Sequence, residues 1–225
     1  MMLVPSTAKA VFLGNSDFGK EYLLGVEDLS KWCGGIYVES MNRKVGYNGL
    51  SQTMELDRSM LYVGYNFMPW ITTYITAGSG PVSLTNDPDP FDGDTSMGVG
   101  MHFNLLDHDI MDPTLFENSI RINGRCEYTF NSIDGLGIGE WQEIQISLTL
   151  SIINDLNANI LYLPKAIGLF AGPVFSDILF GDIDEETKTG AFAGMEVYYS
   201  ERVSFYGGVL TIGDSSTAFG LHVRF

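Results

Sequence analysis

Residues 117–130 read Glu117-Asn118-Ser119-Ile120-Arg121-Ile122-Asn123-Gly124-Arg125-Cys126-Glu127-Tyr128-Thr129-Phe130. Taken alternately they separate into two faces. Ile120, Ile122, Gly124, Cys126, Tyr128 and Phe130 share one; Arg121, Asn123, Arg125, Glu127 and Thr129 share the other. A helical period would mix the two sets, so the pattern predicts a β-strand with one apolar and one polar side. The stretch from Trp141 repeats it, with Ile144, Ile146, Leu148, Leu150 and Ile152 set against Glu143, Gln145, Ser147, Thr149 and Ser151. A third case sets Met97, Val99, Met101, Phe103 and Leu105 against Ser96, Gly98, Gly100, His102 and Asn104. In a soluble barrel or sandwich the apolar side would be the core. In a transmembrane barrel it would meet lipid, and the polar side would line the lumen.

Composition leans toward the second setting. The 225 residues suffice for one all-β domain, and no linker divides them. Charged residues make up 18%, below the roughly 25% of ordinary soluble domains. The 26 glycines fall inside apolar runs such as Trp32-Cys33-Gly34-Gly35-Ile36. A net charge of −16 excludes a phosphate-binding, nucleic-acid role and a polybasic membrane-surface role. Much of the acid lies in 87–94 and 182–186, read as solvated loops. No apolar run is long enough for a membrane-spanning helix, which says nothing about strands. Cys33 and Cys126 lack metal-ligand spacing; they are read either as a disulfide or as small packed residues.

About ten strands are expected, over 32–45, 53–67, 70–79, 95–106, 117–131, 140–154, 165–179, 189–200, 202–212 and 216–225. Most run to about 10–14 residues, against a usual 5–6. Met68-Pro69-Trp70 and Ser200-Glu201-Arg202 read as tight turns on one side. The longer connections 46–52, 79–94, 132–139, 180–188 and 213–215 fall on the other. Connections 107–116 and 155–164 break this asymmetry. Residues 1–30 are read as an N-terminal extension and 31–225 as the barrel. Within the extension, Ser16 or Asp17 could cap a short amphipathic helix. Ala8-Lys9-Ala10 has the form of a signal-peptidase site without an apolar stretch before it, so a truncated signal and an ordinary start both stay open.

The chain ends Ser216-Thr217-Ala218-Phe219-Gly220-Leu221-His222-Val223-Arg224-Phe225, with Phe219, Leu221, Val223 and Phe225 on one face. This resembles the terminal strand of bacterial outer-membrane β-barrel proteins. Gly220, Val223 and Phe225 fall on the positions of that family's assembly signal; Ala218 stands where a polar residue is usual. The segments 62–70 and 169–175 are similar to strands of the same family, and Trp70, Tyr198, Tyr199 and Tyr206 stand where aromatic girdles form. The resemblance implies an all-β, antiparallel, up-and-down transmembrane β-barrel in the bacterial cell outer membrane. Its partners would be outer-membrane lipid and the barrel-assembly machinery during biogenesis, with no nucleic acid.

On this reading the lumen receives Glu39, His102, Asn104, Arg121, Asn123, Arg125, Glu127, Glu143, Gln145, Glu196, His222 and Arg224. A ten-stranded barrel is little wider than the eight-stranded size that side chains fill, so these charges are expected to pair into a packed polar plug. The alternative is a narrow, porin-like passage. Catalytic residues, metal ligands and cofactors are expected to be none. His102 and His222, with Ser96 and Glu143 as conceivable neighbours, carry no motif that places a nucleophile. The Asp87–Asp94 carboxylates miss the calcium-loop spacing. A structural, surface-interaction or small-solute passage role therefore leads. An outer-membrane enzyme acting on lipid or peptide, and a soluble ligand-binding barrel, are the alternatives.

Overall fold

The computed structural model describes residues 31–47, 50–68, 70–84, 87–112, 116–132, 140–156, 163–180, 183–200 and 202–225. The expected helix and signal-like motif in 1–30 lie outside the described residues. The strands are β1 (Trp32–Tyr47), β2 (Leu50–Met68), β3 (Ile71–Leu84), β4 (Asp87–Asp112), β5 (Phe116–Ser132), β6 (Glu140–Asp155), β7 (Ala166–Phe180), β8 (Ile183–Glu185), β9 (Thr189–Tyr198), β10 (Val203–Ile212) and β11 (Asp214–Arg224). Each long strand pairs antiparallel with its neighbour in the chain, β7 pairing with β9 past the three-residue β8. β11 returns to β1, from Cys33 opposite Arg224 to Ser40 opposite Thr217, closing the sheet into a ten-stranded barrel. Closure removes the unpaired edges that a sheet cannot leave in an apolar medium. β1 and β11 meet at what we call the lower end.

Of the expected 46–52 connection, 46–47 and 50–52 are paired strand, and two longer connections are strand as well. Residues 79–84 and 87–94 continue the β3–β4 ladder, and 107–112 with 116 continue the β4–β5 ladder at its lower end, paired from Asp107 opposite Arg121 to Asp112 opposite Phe116. Prolines and acids hide the first. A register shift between Asn104 and Leu106 hides the second, because an inserted residue breaks the period of two. Tight lower turns now follow β2, β4 and β9; Ser200 Oγ closes the last by accepting from the Val203 amide at 3.1 Å. No disulfide forms: Cys33 faces inward on β1 and Cys126 outward on β5.

The wall is inside-out relative to a soluble barrel. Ile36, Leu61, Ile75, Val99, Leu148, Leu169, Phe205 and Phe219 all point outward and are exposed. Ile144 to Ile152 spans about 27 Å of strand, or about 20 Å along the barrel axis at ordinary tilt. Trp32, Phe67, Trp70, Tyr199 and Phe225 ring the lower margin. Tyr198 and Tyr206, expected in such a girdle, are instead buried in the interior, because inward positions of β9 and β10 must fill a wide lumen.

Above the band the polarity inverts along a single strand. Leu61 and Val63 face out on β2, whereas a few residues away Leu56 and Met54 face in and are 1% exposed. Outward positions there are Ser59, Asp57 and Glu55. The upper barrel is therefore built like a soluble one, with Met41, Val45, Met54, Leu56, Val82, Leu84 and Trp141 as its core. β8 pairs with Val45–Tyr47, covering the upper edge of β1 that β11 does not reach.

Candidate functional site

The interior at band level is filled by aromatic rings seated on glycines. Tyr62 lies opposite Gly35, Tyr74 opposite Gly100, Tyr206 opposite Gly220 and Phe170 opposite Gly194. A Cβ on Gly220 would stand 2.3 Å from the Tyr206 ring, so only glycine admits it. Such cross-strand pairs let a bare backbone carry a large side chain and pin register. Gly220 thus faces the lumen, while Val223 and Phe225 face outward.

Around these rings the nine expected charged or imidazole residues are all buried inward: Glu39, His102, Arg121, Arg125, Glu127, Glu143, Glu196, His222 and Arg224. They fall into separate groups. Glu39 pairs with Arg58 from the adjacent strand, whose guanidinium also donates to Ser96 at 2.8 Å and Asn131 at 2.9 Å. Arg125 pairs with Glu127 and donates to the Tyr74 hydroxyl at 2.7 Å, while Thr76 donates to Glu127 at 3.2 Å. His102 stands in register between Thr72 and Arg125. Lower down, Tyr198 and Ser204 donate to Glu196 at 2.8 and 2.5 Å, and His222 stacks on Tyr62 and hydrogen-bonds its hydroxyl. Arg121 lies 3.1 Å from Asp107. Arg224 stands opposite Cys33.

The uppermost group crosses the lumen. Arg43 on β1 reaches Glu143 on β6 at 2.9 Å, and Ser176 on β7 donates to the same carboxylate at 2.6 Å. β1 and β6 stand half a circumference apart in the strand order. The apolar upper core lies beside this bridge, with Trp141 of β6 against side chains from β1, β2 and β3.

Among the described residues five arginines and four glutamates are buried facing the interior, with Asp107 beside Arg121, so the buried charges there nearly balance. Arginine suits such a setting because its planar fork satisfies several acceptors at once. Ser96 and Glu143 are bonded to Asn131 and Arg43, apart from either histidine. Sequence reasoning missed Arg43, Arg58 and the tyrosines. Arg58 was legible as the residue alternating with Met60 and Tyr62, had the inversion on β2 been recognised.

No protein-family model matches the chain, and no curated protein matches it. Among solved structures, the translocator domain of the autotransporter NalP from Neisseria meningitidis superposes with a TM-score of 0.51 at 10% identity, over 89% of this chain and 90% of that one. Neisserial surface protein A gives 0.42 at 13%, over 88% and 100%, and an outer membrane channel from Pseudomonas putida F1 gives 0.47 at 9%, over 96% and 100%. The NalP likeness is one of fold: this chain has the closed antiparallel barrel of outer-membrane proteins.

Proposed function

We propose that this barrel spans a bacterial outer membrane with its lumen closed, and that it works as an anchored surface protein rather than as a conduit or an enzyme. The Arg43–Glu143 bridge carries this reading, because it ties opposite walls together beside an apolar core. A water-filled pore would need both removed from its axis. The apolar band supplies the membrane contact, the lower aromatic ring marks the periplasmic margin, and the upper hairpins stand outside the cell.

Conductance tests this directly. Refolded protein in a planar bilayer is expected to give no steady open level, and a stable ohmic conductance from the wild type would overturn the reading.

The C-terminal residues are proposed to serve assembly as well. Gly220→Val should destabilise the barrel by about 1–3 kcal/mol, since added volume against Tyr206 has nowhere to go. Phe225→Ala removes an exposed interfacial ring and should leave detergent refolding close to normal. In cells both variants should reach the surface poorly. Normal cellular assembly of Phe225→Ala would remove the assembly role.

A further inference from the structure

Gly124 faces outward on β5, between Phe103 of β4 and Leu148 of β6. Gly100 and Gly220 are held to glycine by the tyrosine rings seated on them, but a Cβ at Gly124 would meet nothing closer than Leu105 Cδ1 at 3.6 Å. The chain itself therefore leaves room for a side chain there. A glycine inside a strand that its own neighbours do not require marks a place where something else comes close. Further along the same row, β6–β7 pairing jumps from Ser147 opposite Val174 to Leu150 opposite Ala171, because Pro173 has no N–H to give the ladder.

These two features open an outward, apolar groove of about 490 Å³. It lies between the row Phe103, Gly124, Leu148 and Pro173 and the row above, which ends at Phe175 opposite Thr189. Such rows climb obliquely around a tilted barrel. The low end is Phe103, opposite Ile71 at the lower margin; the high end is Thr189, the first residue of β9. From β4 to β9 the groove crosses four strand spacings, about 19 Å. That is the shape of one extended acyl chain. Its high end carries charge of both signs. Lys188 precedes Thr189, Asp177 stands two residues above Phe175, and Lys188 Nζ lies 2.6 Å from Asp177 Oδ1. The two side chains are partly exposed and paired with one another, so they present a dipole to whatever lies beside them.

We propose that this groove holds one phospholipid with a zwitterionic ethanolamine headgroup, an acyl chain lying over Gly124 and Pro173, the phosphate facing Lys188 and the ammonium facing Asp177. The inference rests on the membrane-spanning reading above. A headgroup with both signs meets an opposite charge at each end of the Lys188–Asp177 dipole. An anionic headgroup gains from Lys188 and is repelled by Asp177, and an uncharged one gains from neither. The groove beneath selects an occupant that continues as hydrocarbon.

The full chain should be refolded in a polyoxyethylene detergent, which brings neither phosphate nor amine, and titrated with phosphatidylethanolamine. Phosphatidylglycerol and diacylglycerol of the same chains serve as comparators. Native mass spectrometry and thermal unfolding are expected to show one saturable phosphatidylethanolamine adduct that raises Tm, with both comparators binding more weakly. Gly124→Phe fills the hollow and should abolish the adduct, whereas Val63→Phe, outward on β2, should not. Asp177→Asn with Lys188→Met removes both charges and should weaken phosphatidylethanolamine about tenfold, the order of two exposed charge contacts. Diacylglycerol binding should be unchanged in that variant. Phosphatidylglycerol or diacylglycerol bound as tightly as phosphatidylethanolamine, or phosphatidylethanolamine bound unchanged by Gly124→Phe, would overturn the proposal. A protein that refolds in detergent but takes up no phosphatidylethanolamine loses this site and keeps its barrel; one that folds and stays monodisperse without detergent or lipid loses the membrane reading itself.

Discussion

Leu148→Arg is expected to cost about 2–4 kcal/mol of barrel stability in lipid, the depth-dependent penalty for a cation facing the middle of a bilayer. Leu148 is the central outward residue of the Ile144–Ile152 run and stands opposite Gly124, which has no side chain to cover it from β5. The comparator has to face inward on the same strand. Ser147 does, but it lies opposite Arg125, where another arginine would set like charges across the strands. Ser147→Glu is therefore the informative partner. It adds one charge beside the Arg125–Glu127 pair, inside the lumen rather than in lipid, and should cost clearly less than Leu148→Arg. Urea unfolding from lipid vesicles measures both. If Ser147→Glu proved the more damaging, the apolar face would be a core and the barrel a soluble one.

The second large effect lies inside. Arg58→Met should destabilise by about 3–5 kcal/mol, because it leaves the Glu39 carboxylate buried without its counter-ion. Ser96 and Asn131 keep their mutual hydrogen bond of 2.6 Å and cannot neutralise the charge. Removing both ions in Glu39→Met with Arg58→Met should recover most of the loss, since two apolar side chains of similar length carry no desolvation cost. The same unfolding measurement on the two single variants and the double closes the cycle. A double variant as unstable as the sum of the singles would mean that the two residues act independently and that the lumen is solvated around them.

These two experiments follow the line between what the sequence disclosed and what it concealed. The faces of β5 and β6 were legible because outward apolar and inward polar residues alternate without a break from Ile120 to Phe130 and from Glu143 to Ile152. β11 was legible for the same reason, together with its terminal aromatic. The upper barrel was not, because its outward side is polar and its inward side apolar. Met54 and Leu56 therefore carry the opposite meaning to Leu61 and Val63 on the same strand. Pro81 and the acids of 87–94 looked like loop, yet Val82 and Leu84 are buried against that upper core. Inward Tyr206 was equally hidden, since a tyrosine near a strand end reads as a girdle residue until its glycine partner across the ladder is known. Pairs across the lumen between residues as distant as Arg43 and Glu143 leave no local trace at all.

The inversion on β2 also sets how deep the barrel rides. Sliding the wall downward by one outward position, about 7 Å of strand, would submerge Ser40, Ser59 and Ser79 together. Sliding it upward would lift Val38, Leu61 and Phe219 into water. Both displacements are opposed by several strands at once, so the protein carries its own waterline. In a bilayer thinner or thicker than the band, the lipid must stretch or compress around the barrel, and the mismatch will be taken up at the lower rim of Trp32, Phe67, Trp70 and Phe225, where amphipathic and aromatic side chains tolerate it.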